Sequence, residues 1–226
     1  MNSYQEQRLK EEQAFLHDVR NHKVTVLKDE LVDNNPDGED TLGYYRHIRC
    51  RDPKSYNRSF EIISVPYYLT MVGDMGSWTW SRLKDNFCFF RAGESFYKSP
   101  NEGNKQLFVN PGYWGEKLQA IDRGGLTEYS EEALKSHMVD EYKAWLEEKD
   151  RTTEECQEVK EAIREVYSAE NEYQAHEKLY NFEEVNGFCP ADTWEWKLTK
   201  ATGRYIWACY AVAWTVREYD KMKGNQ

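Results

Sequence analysis

The sequence lacks the short motifs that identify most nucleotide-binding, hydrolytic and metal-dependent enzymes. It contains no Walker A motif, no GxGxxG, no GxSxG and no HExxH. Its five histidines are scattered, and two pairs at helical spacing, His137–Glu141 and Glu172–His176, have no third ligand in the pattern. We therefore expect no catalytic constellation, no cofactor and no metal site.

Disulfide motifs and long apolar runs are also missing. The five cysteines form no CxxC pair, and their odd number argues against a disulfide framework. No stretch reaches 18 consecutive apolar residues, and the first residues lack the apolar core of a signal peptide. These absences predict reduced thiols, no membrane association and a cytoplasmic location.

Basic charge is scarce where acidic charge is concentrated. The net charge is −10, and residues 128–184 alone carry 18 acidic and 7 basic side chains, a net of −11. Together with the lack of a helix-turn-helix, zinc-finger or RRM motif, this disfavours direct binding to nucleic acid. Such a segment is typical of a surface for a basic protein, of a competitor of DNA, or of a solvated helical face. The candidate partner surface is Glu154, Glu155, Glu158, Glu161 and Glu165.

The chain is rich in aromatic side chains, with eight Trp and sixteen Tyr. Alternating, β-branched and aromatic segments predict five strands, at 23–27, 43–51, 58–64, 67–72 and 77–80. Short links, among them the turn Gly73-Asp74-Met75-Gly76, favour an antiparallel meander. In the second strand, alternation places Arg46 on one face with Ile48, and Arg49 on the other.

Helical patterns accompany these strands. They cover 2–21, 83–91, a segment that begins at Asn110, three acidic stretches at 130–149, 152–167 and 169–182, and a final run at about 199–222. Residues 205–216 carry no charge, which is typical of a helix buried on all sides. The fold class is therefore α+β, a meander of about five strands packed against helices, with an acidic helical lobe and a buried C-terminal helix. The predicted boundaries are 1–126, 127–185 and 186–226.

Candidate binding residues are densest around the glycine-containing turn and the aromatic segment after it. Asp74 and Asp85 are either paired carboxylates or ordinary turn and helix-start residues. Arg82 is suited to bind an anion, or to pair with Asp85 or Glu116. The candidate set is Asp74, Arg82, Asp85, Trp114, Glu116 and Lys117. It predicts a concave site where the turn meets the helix that begins at Asn110.

Three sequence blocks together resemble a known family. They are PYYLTMVGDMGSWTWSRLKDNFCFFR, NPGYWGEKLQA and RYIWACYAVAWTVREYD. They are similar to a widespread family of phage and prophage proteins of unassigned biochemistry, over about residues 44–123 and 190–220. Where that family usually has Asp-Met-Phe, this chain has Asp85-Asn86-Phe87. The resemblance implies an accessory phage gene, a class that often encodes inhibitors of host defence, of which the anti-Gabija proteins are one group.

Three functions follow as expectations. The first is a phage accessory protein that binds and inhibits a host defence complex in the host cytoplasm. The second is a small-molecule binder or hydrolase-like enzyme at the candidate set above. The third is an assembly protein, a homo-oligomer with the terminal helix as its seam. Whether Trp78, Trp80 and Trp114 are buried or exposed bears on all three, because a large exposed apolar patch marks a binding site.

Overall fold

The computed structural model describes residues 3–33, 42–91 and 107–224. The chain forms two compact units: unit 1 comprises residues 1–126 and 202–226, and unit 2 comprises residues 127–201. Unit 2 is therefore an insertion between two parts of unit 1. It includes residues 186–201, which the sequence patterns had grouped with the terminal helix.

Unit 1 contains a six-stranded sheet in which each strand pairs antiparallel with the next along the chain. The strands are β1 (Lys23–Asp33), β2 (Leu42–Arg51), β3 (Phe60–Val65), β4 (Tyr68–Gly73), β5 (Gly76–Ser81) and β6 (Leu118–Ala120). The predicted meander is confirmed, with a sixth strand added. In the β4–β5 turn Gly73 pairs with Gly76, which has φ +101° and whose Cβ position would lie 2.6 Å from Asp122. Glycine is required at position 76 because φ is positive and because a Cβ atom there would clash with Asp122.

In the part of unit 1 that the structure describes, four helices accompany this sheet. They are α1 (Ser3–Asp18), α2 (Asn86–Phe90), α3 (Pro111–Gly115) and α7 (Gly203–Lys223). The helix predicted at 83–91 begins later because the Asp85 side chain accepts a hydrogen bond from Phe87 N and caps α2. The helix predicted from Asn110 is a single turn, and β6 begins soon after it, at Leu118.

The core of unit 1 lies between the sheet and α7. Alternate residues of the strands point inward, so Ile48, Ile62 and Met71 are fully buried. Helix α7 buries residues around its whole circumference from Tyr205 to Tyr219, as its uncharged sequence predicted. The buried C-terminal helix is therefore confirmed, and its apolar surface is enclosed within its own unit.

Unit 2 contains three helices, α4 (Glu131–Glu148), α5 (Thr153–Tyr167) and α6 (Glu172–Tyr180), a 3₁₀ turn (Thr193–Glu195), and the strand pair β7 (Thr127–Tyr129) and β8 (Thr199–Ala201). Ser130 and Asn171 cap α4 and α6, and Thr152 with Glu155 forms the predicted capping box of α5. The apolar stripes of the helices form a separate core of their own, whose largest members include Met138, Trp145, Ile163 and Trp196.

Candidate functional site

The structure separates the six candidate residues into different surroundings. Asp74 is exposed in the β4–β5 turn, where its backbone N donates to Ser59 O. Lys117 lies at the other end of β5, where its carbonyl accepts from Ser81 N. Since six strand residues span roughly 20 Å, Asp74 is remote from the remaining candidates. The turn and the segment after Asn110 therefore do not form one concave site.

Asp85 is engaged in the structure of unit 1. Its carboxylate caps α2 and also accepts two hydrogen bonds from Arg46, from Nη1 at 2.7 Å and from Nη2 at 3.1 Å. The Arg46 side chain is only 3% exposed and lies over the rings of Phe87 and Tyr219. Burial lowers the pKa of Arg46, but hydrogen bonds to Asp85 and Tyr219 outweigh this and raise it above the usual value. Asp85 is thus a structural anchor.

Arg46 also organises a second carboxylate. Its Nε donates to the Tyr219 hydroxyl at 3.3 Å, and that hydroxyl donates to Asp29 at 2.9 Å. Lys223 Nζ lies 2.6 Å from the same carboxylate. Burial alone would raise the pKa of Asp29, but the bonds from Lys223 and Tyr219 leave it below its usual value. This network connects β1, β2, α2 and α7.

Trp114 belongs to an aromatic cluster around a cavity in unit 1. It is 1% exposed and packs edge to face on Phe90, with ring centroids 4.7 Å apart. The cavity has a volume of about 390 Å³, and its walls include Arg82, Phe89, Arg91, Phe108, Tyr113 and Trp114. Two of the six candidates, Arg82 and Trp114, therefore line the same cavity.

The other two candidates, Glu116 and Lys117, follow Trp114 in the sequence. Glu116 is exposed and pairs with Lys117 at 3.3 Å, and the Lys117 ammonium lies 4.8 Å from the centroid of the Tyr113 ring. Neither residue lines the cavity. Arg82 pairs with neither Asp85 nor Glu116. It is exposed, and within the described residues it has no ion-pair or hydrogen-bond partner.

Arg91, which the sequence did not single out, completes the cavity. Asp220 on α7 accepts two hydrogen bonds from it, each 2.7 Å long, and these bonds raise the pKa of Arg91. Arg91 and Asp220 are 129 positions apart, so no local pattern could reveal the pair.

The predicted partner surface lies on α5 of unit 2. Glu154, Glu158, Glu161 and Glu165 are exposed and recur at helical spacing, so they form one row, which we call the glutamate row. Glu155 is half-buried instead, because its carboxylate accepts the Thr152 N–H of the capping box at 2.7 Å.

The glutamate row is poorly neutralised. Within the described residues Glu165 alone of the four forms an ion pair, with Lys178 at 3.0 Å. Glu158 and Glu161 accept hydrogen bonds from neutral amides, those of Asn186 and Gln157. Most of the negative charge of the row is therefore left for solvent or a partner.

A groove of about 830 Å³ begins beside this row. Its walls include Glu165, Glu177, Lys178 and Glu183, and Val166 and Phe182 contribute apolar surface. Of the five charged side chains that line the groove, four are acidic, Glu170 being the fourth. Unit 2 also exposes large aromatic side chains, Tyr173, Trp194 and Tyr180, the last of them 88% exposed.

The residues that the structure describes show neither a metal site nor a membrane-spanning helix. No group of three or more His, Cys, Asp or Glu side chains there could hold a metal ion. Within the same residues, no helix combines the length and apolarity needed to cross a bilayer. Trp78 and Trp80 are fully buried, so they do not contribute an exposed patch.

Comparison with known proteins gave no match. No family model fits the chain, and neither the curated proteins nor the solved structures include a significant relative. The resemblance to phage and prophage proteins therefore rests on the three sequence blocks alone.

Proposed function

We propose that the protein is a phage-encoded accessory protein that binds and inhibits a host antiviral defence complex by protein–protein contact in the host cytoplasm. The observation that carries this proposal is the glutamate row of α5, which is exposed and which, among the described residues, has Lys178 as its single cationic partner. The resemblance of the three sequence blocks supports the phage setting.

The charge of unit 2 supports a basic partner. Residues 127–201 carry a net charge of −11, so they attract a basic surface and steer its approach. A basic surface on a defence nuclease is one that ordinarily binds DNA phosphates, and carboxylates would compete with those phosphates for the same Lys and Arg side chains. The exposed Tyr and Trp side chains add apolar contact area, which is where interfaces gain most affinity.

An assembly role is less well supported. The expected seam was α7, but its apolar residues are buried within unit 1. A homo-oligomer would need another surface, and light scattering over a range of concentrations measures whether the protein self-associates.

The test is infection of a host that carries the defence system, with the tagged protein expressed. We expect recovery of a defence subunit with the tag, a plating advantage for the phage, and loss of capture as salt is raised. The test variant neutralises Glu154, Glu158, Glu161 and Glu165 by substitution with Gln. Its matched control neutralises Glu128, Glu131, Asp140 and Glu147 of the same unit, all exposed.

The two variants make the result specific. Both lose four negative charges, so a general charge effect would weaken both equally. The proposal requires that the α5 variant lose capture and plating advantage while the control retains them. Recovery of no defence subunit, together with no plating advantage, would contradict the proposal.

A further inference from the structure

We infer that the cavity of unit 1 binds a small aromatic anion, a planar ring that carries a carboxylate or a phosphate group. This ligand site is independent of the proposed partner surface, because it is built from residues of unit 1 alone. Three features of the cavity support it: a cation with no ion-pair partner among the described residues, aromatic walls and a suitable volume.

The cation is Arg82. It follows β5 directly, and the hydrogen bond from Ser81 N to Lys117 O fixes the backbone at that strand end. Within the described residues its guanidinium has no ion-pair or hydrogen-bond partner, in contrast to Arg46, which is bound to Asp85. An arginine with free donors at the mouth of a cavity can bind a carboxylate or a phosphate through two parallel hydrogen bonds.

The second guanidinium, of Arg91, serves a different purpose. Asp220 holds it in place and neutralises it, so it adds a rigid polar wall without adding net charge. Among the described residues, none that lines the cavity is acidic. The described part of the lining therefore has a net positive charge, and Arg82 supplies it.

The remaining walls are rings. Phe89 lies 5.7 Å from Tyr113 and 6.4 Å from Trp114, measured between ring centroids. Trp114 is held by its packing on Phe90, whereas Tyr113 is partly exposed and free to contact a ligand. Such walls favour a planar ring, which can stack on one and meet another with its edge.

Size limits the ligand further. At about 390 Å³ the cavity is near the lower end of the range of small-molecule sites, roughly 300–1,000 Å³. A molecule of one or two rings fits such a volume, and a folded peptide or a nucleic-acid strand does not.

Calorimetric titration of the whole protein tests the inference with defined probes. Indole-3-acetate and phenyl phosphate are the aromatic anions, and they distinguish a carboxylate from a phosphate source. Indole-3-acetamide lacks the charge, and acetate and inorganic phosphate lack the ring. We expect at least one aromatic anion to bind roughly ten-fold more tightly than its uncharged or ringless analogue, the effect of one charge-assisted contact.

Variants locate the binding. Arg82→Gln is expected to weaken the aromatic anion roughly ten-fold, and Tyr113→Ala roughly five-fold through loss of ring contact. The matched control is Arg123→Gln, since Arg123 is also exposed but does not line the cavity, and it should bind as the unmodified protein does. Circular dichroism confirms that each variant is folded.

Several outcomes would overturn the inference. They are the absence of saturable binding by either aromatic anion, equal binding of the uncharged or ringless analogues, and equal affinity of the Arg82→Gln and Arg123→Gln variants. Preference for indole-3-acetate or for phenyl phosphate supports the site in either case, and assigns it to a carboxylate or a phosphate ligand.

Discussion

Replacement of the buried Arg46 by Met should destabilise unit 1 by about 3 kcal/mol. Met keeps most of the aliphatic volume, so the change removes the guanidinium without opening a large cavity. The substitution leaves Asp85, the N-cap residue of α2, without its cationic partner. It also removes the Arg46 Nε atom, which lies 3.6 Å from the Asp29 carboxylate.

The magnitude follows from the contacts. Arg46 donates two hydrogen bonds to Asp85, and a hydrogen bond to a charged group contributes about 1.5–3 kcal/mol. The ring contacts with Phe87 and Tyr219 add about 1 kcal/mol. Two effects offset part of this loss in the variant. The folded protein no longer bears the cost of burying a guanidinium, and the Asp85 side chain, which is 19% exposed, can still be hydrated. A loss near the lower end of the range for a broken buried pair, about 3–5 kcal/mol, is therefore expected.

Arg49 provides the matched control on the same strand. Its side chain is 41% exposed on the opposite face, where Nε donates to Glu61 at 2.7 Å. Arg49→Met should cost less than about 1 kcal/mol, the usual limit for an exposed pair.

Thiol labelling in urea measures both losses within unit 1. Cys50 and Cys209 are buried there, and desolvation by burial raises the pKa of each thiol to about 12, so they react only after unfolding. The labelling midpoint should fall far more for Arg46→Met than for Arg49→Met. Equal shifts for the two variants, or a loss below about 1 kcal/mol for Arg46→Met, would refute the reasoning.

Three further predictions concern other parts of the chain. Because the pKa of Asp29 is lowered, its carboxylate stabilises the fold at pH values above its usual pKa of 3.8, and this contribution is lost as the pH falls further. The difference in unfolding free energy between the unmodified protein and Asp29→Asn should therefore shrink below about pH 4. Thr152→Ala should cost unit 2 about 1 kcal/mol in urea unfolding, and Thr153→Ala much less, because only Thr152 caps α5. Replacing residues 127–201 with a short Gly-Ser linker should preserve cooperative thermal unfolding of unit 1, since Thr202 N already donates to Leu126 O at 3.0 Å; a chain without a transition would contradict this.

The larger elements could be predicted because their signals are repeated. Five strands alternate apolar and polar side chains over at least four residues each, and the uncharged run of α7 extends over several turns. The Thr152–Glu155 capping box is a local pair three positions apart, so it was also visible in the sequence. In each case the contacts that fix the element are close in sequence or recur with its period.

The short elements could not be predicted for the opposite reason. Strands β6, β7 and β8 have three residues each, too few to show a period, and they form only because distant strands offer hydrogen-bond partners. Helix α2 has five residues and depends on the cap that Asp85 provides. Such segments are specified by tertiary contacts and not by local preference.

The candidate site shows the same division. The structure places two of the candidate residues, Arg82 and Trp114, beside one cavity, although they are far apart in sequence. The alternatives considered for Arg82 were local partners, and the structure instead pairs Asp85 with Arg46, 39 positions away. Ion pairs of that range depend on the order of strands and helices, which the sequence alone did not establish.

The acidic charge of the chain is concentrated in the inserted unit 2. Unit 2 contains its own core and carries a net charge of −11, whereas the remaining residues together carry +1. Its chain enters and leaves between Leu126 and Thr202, whose backbones are hydrogen-bonded. The glutamate row and the Arg82 cavity thus belong to different compact units and carry opposite charges. Substitutions at Glu158 should therefore leave binding of an aromatic anion unchanged, and substitutions at Arg82 should leave capture of a basic partner unchanged, so each proposal can fail without the other.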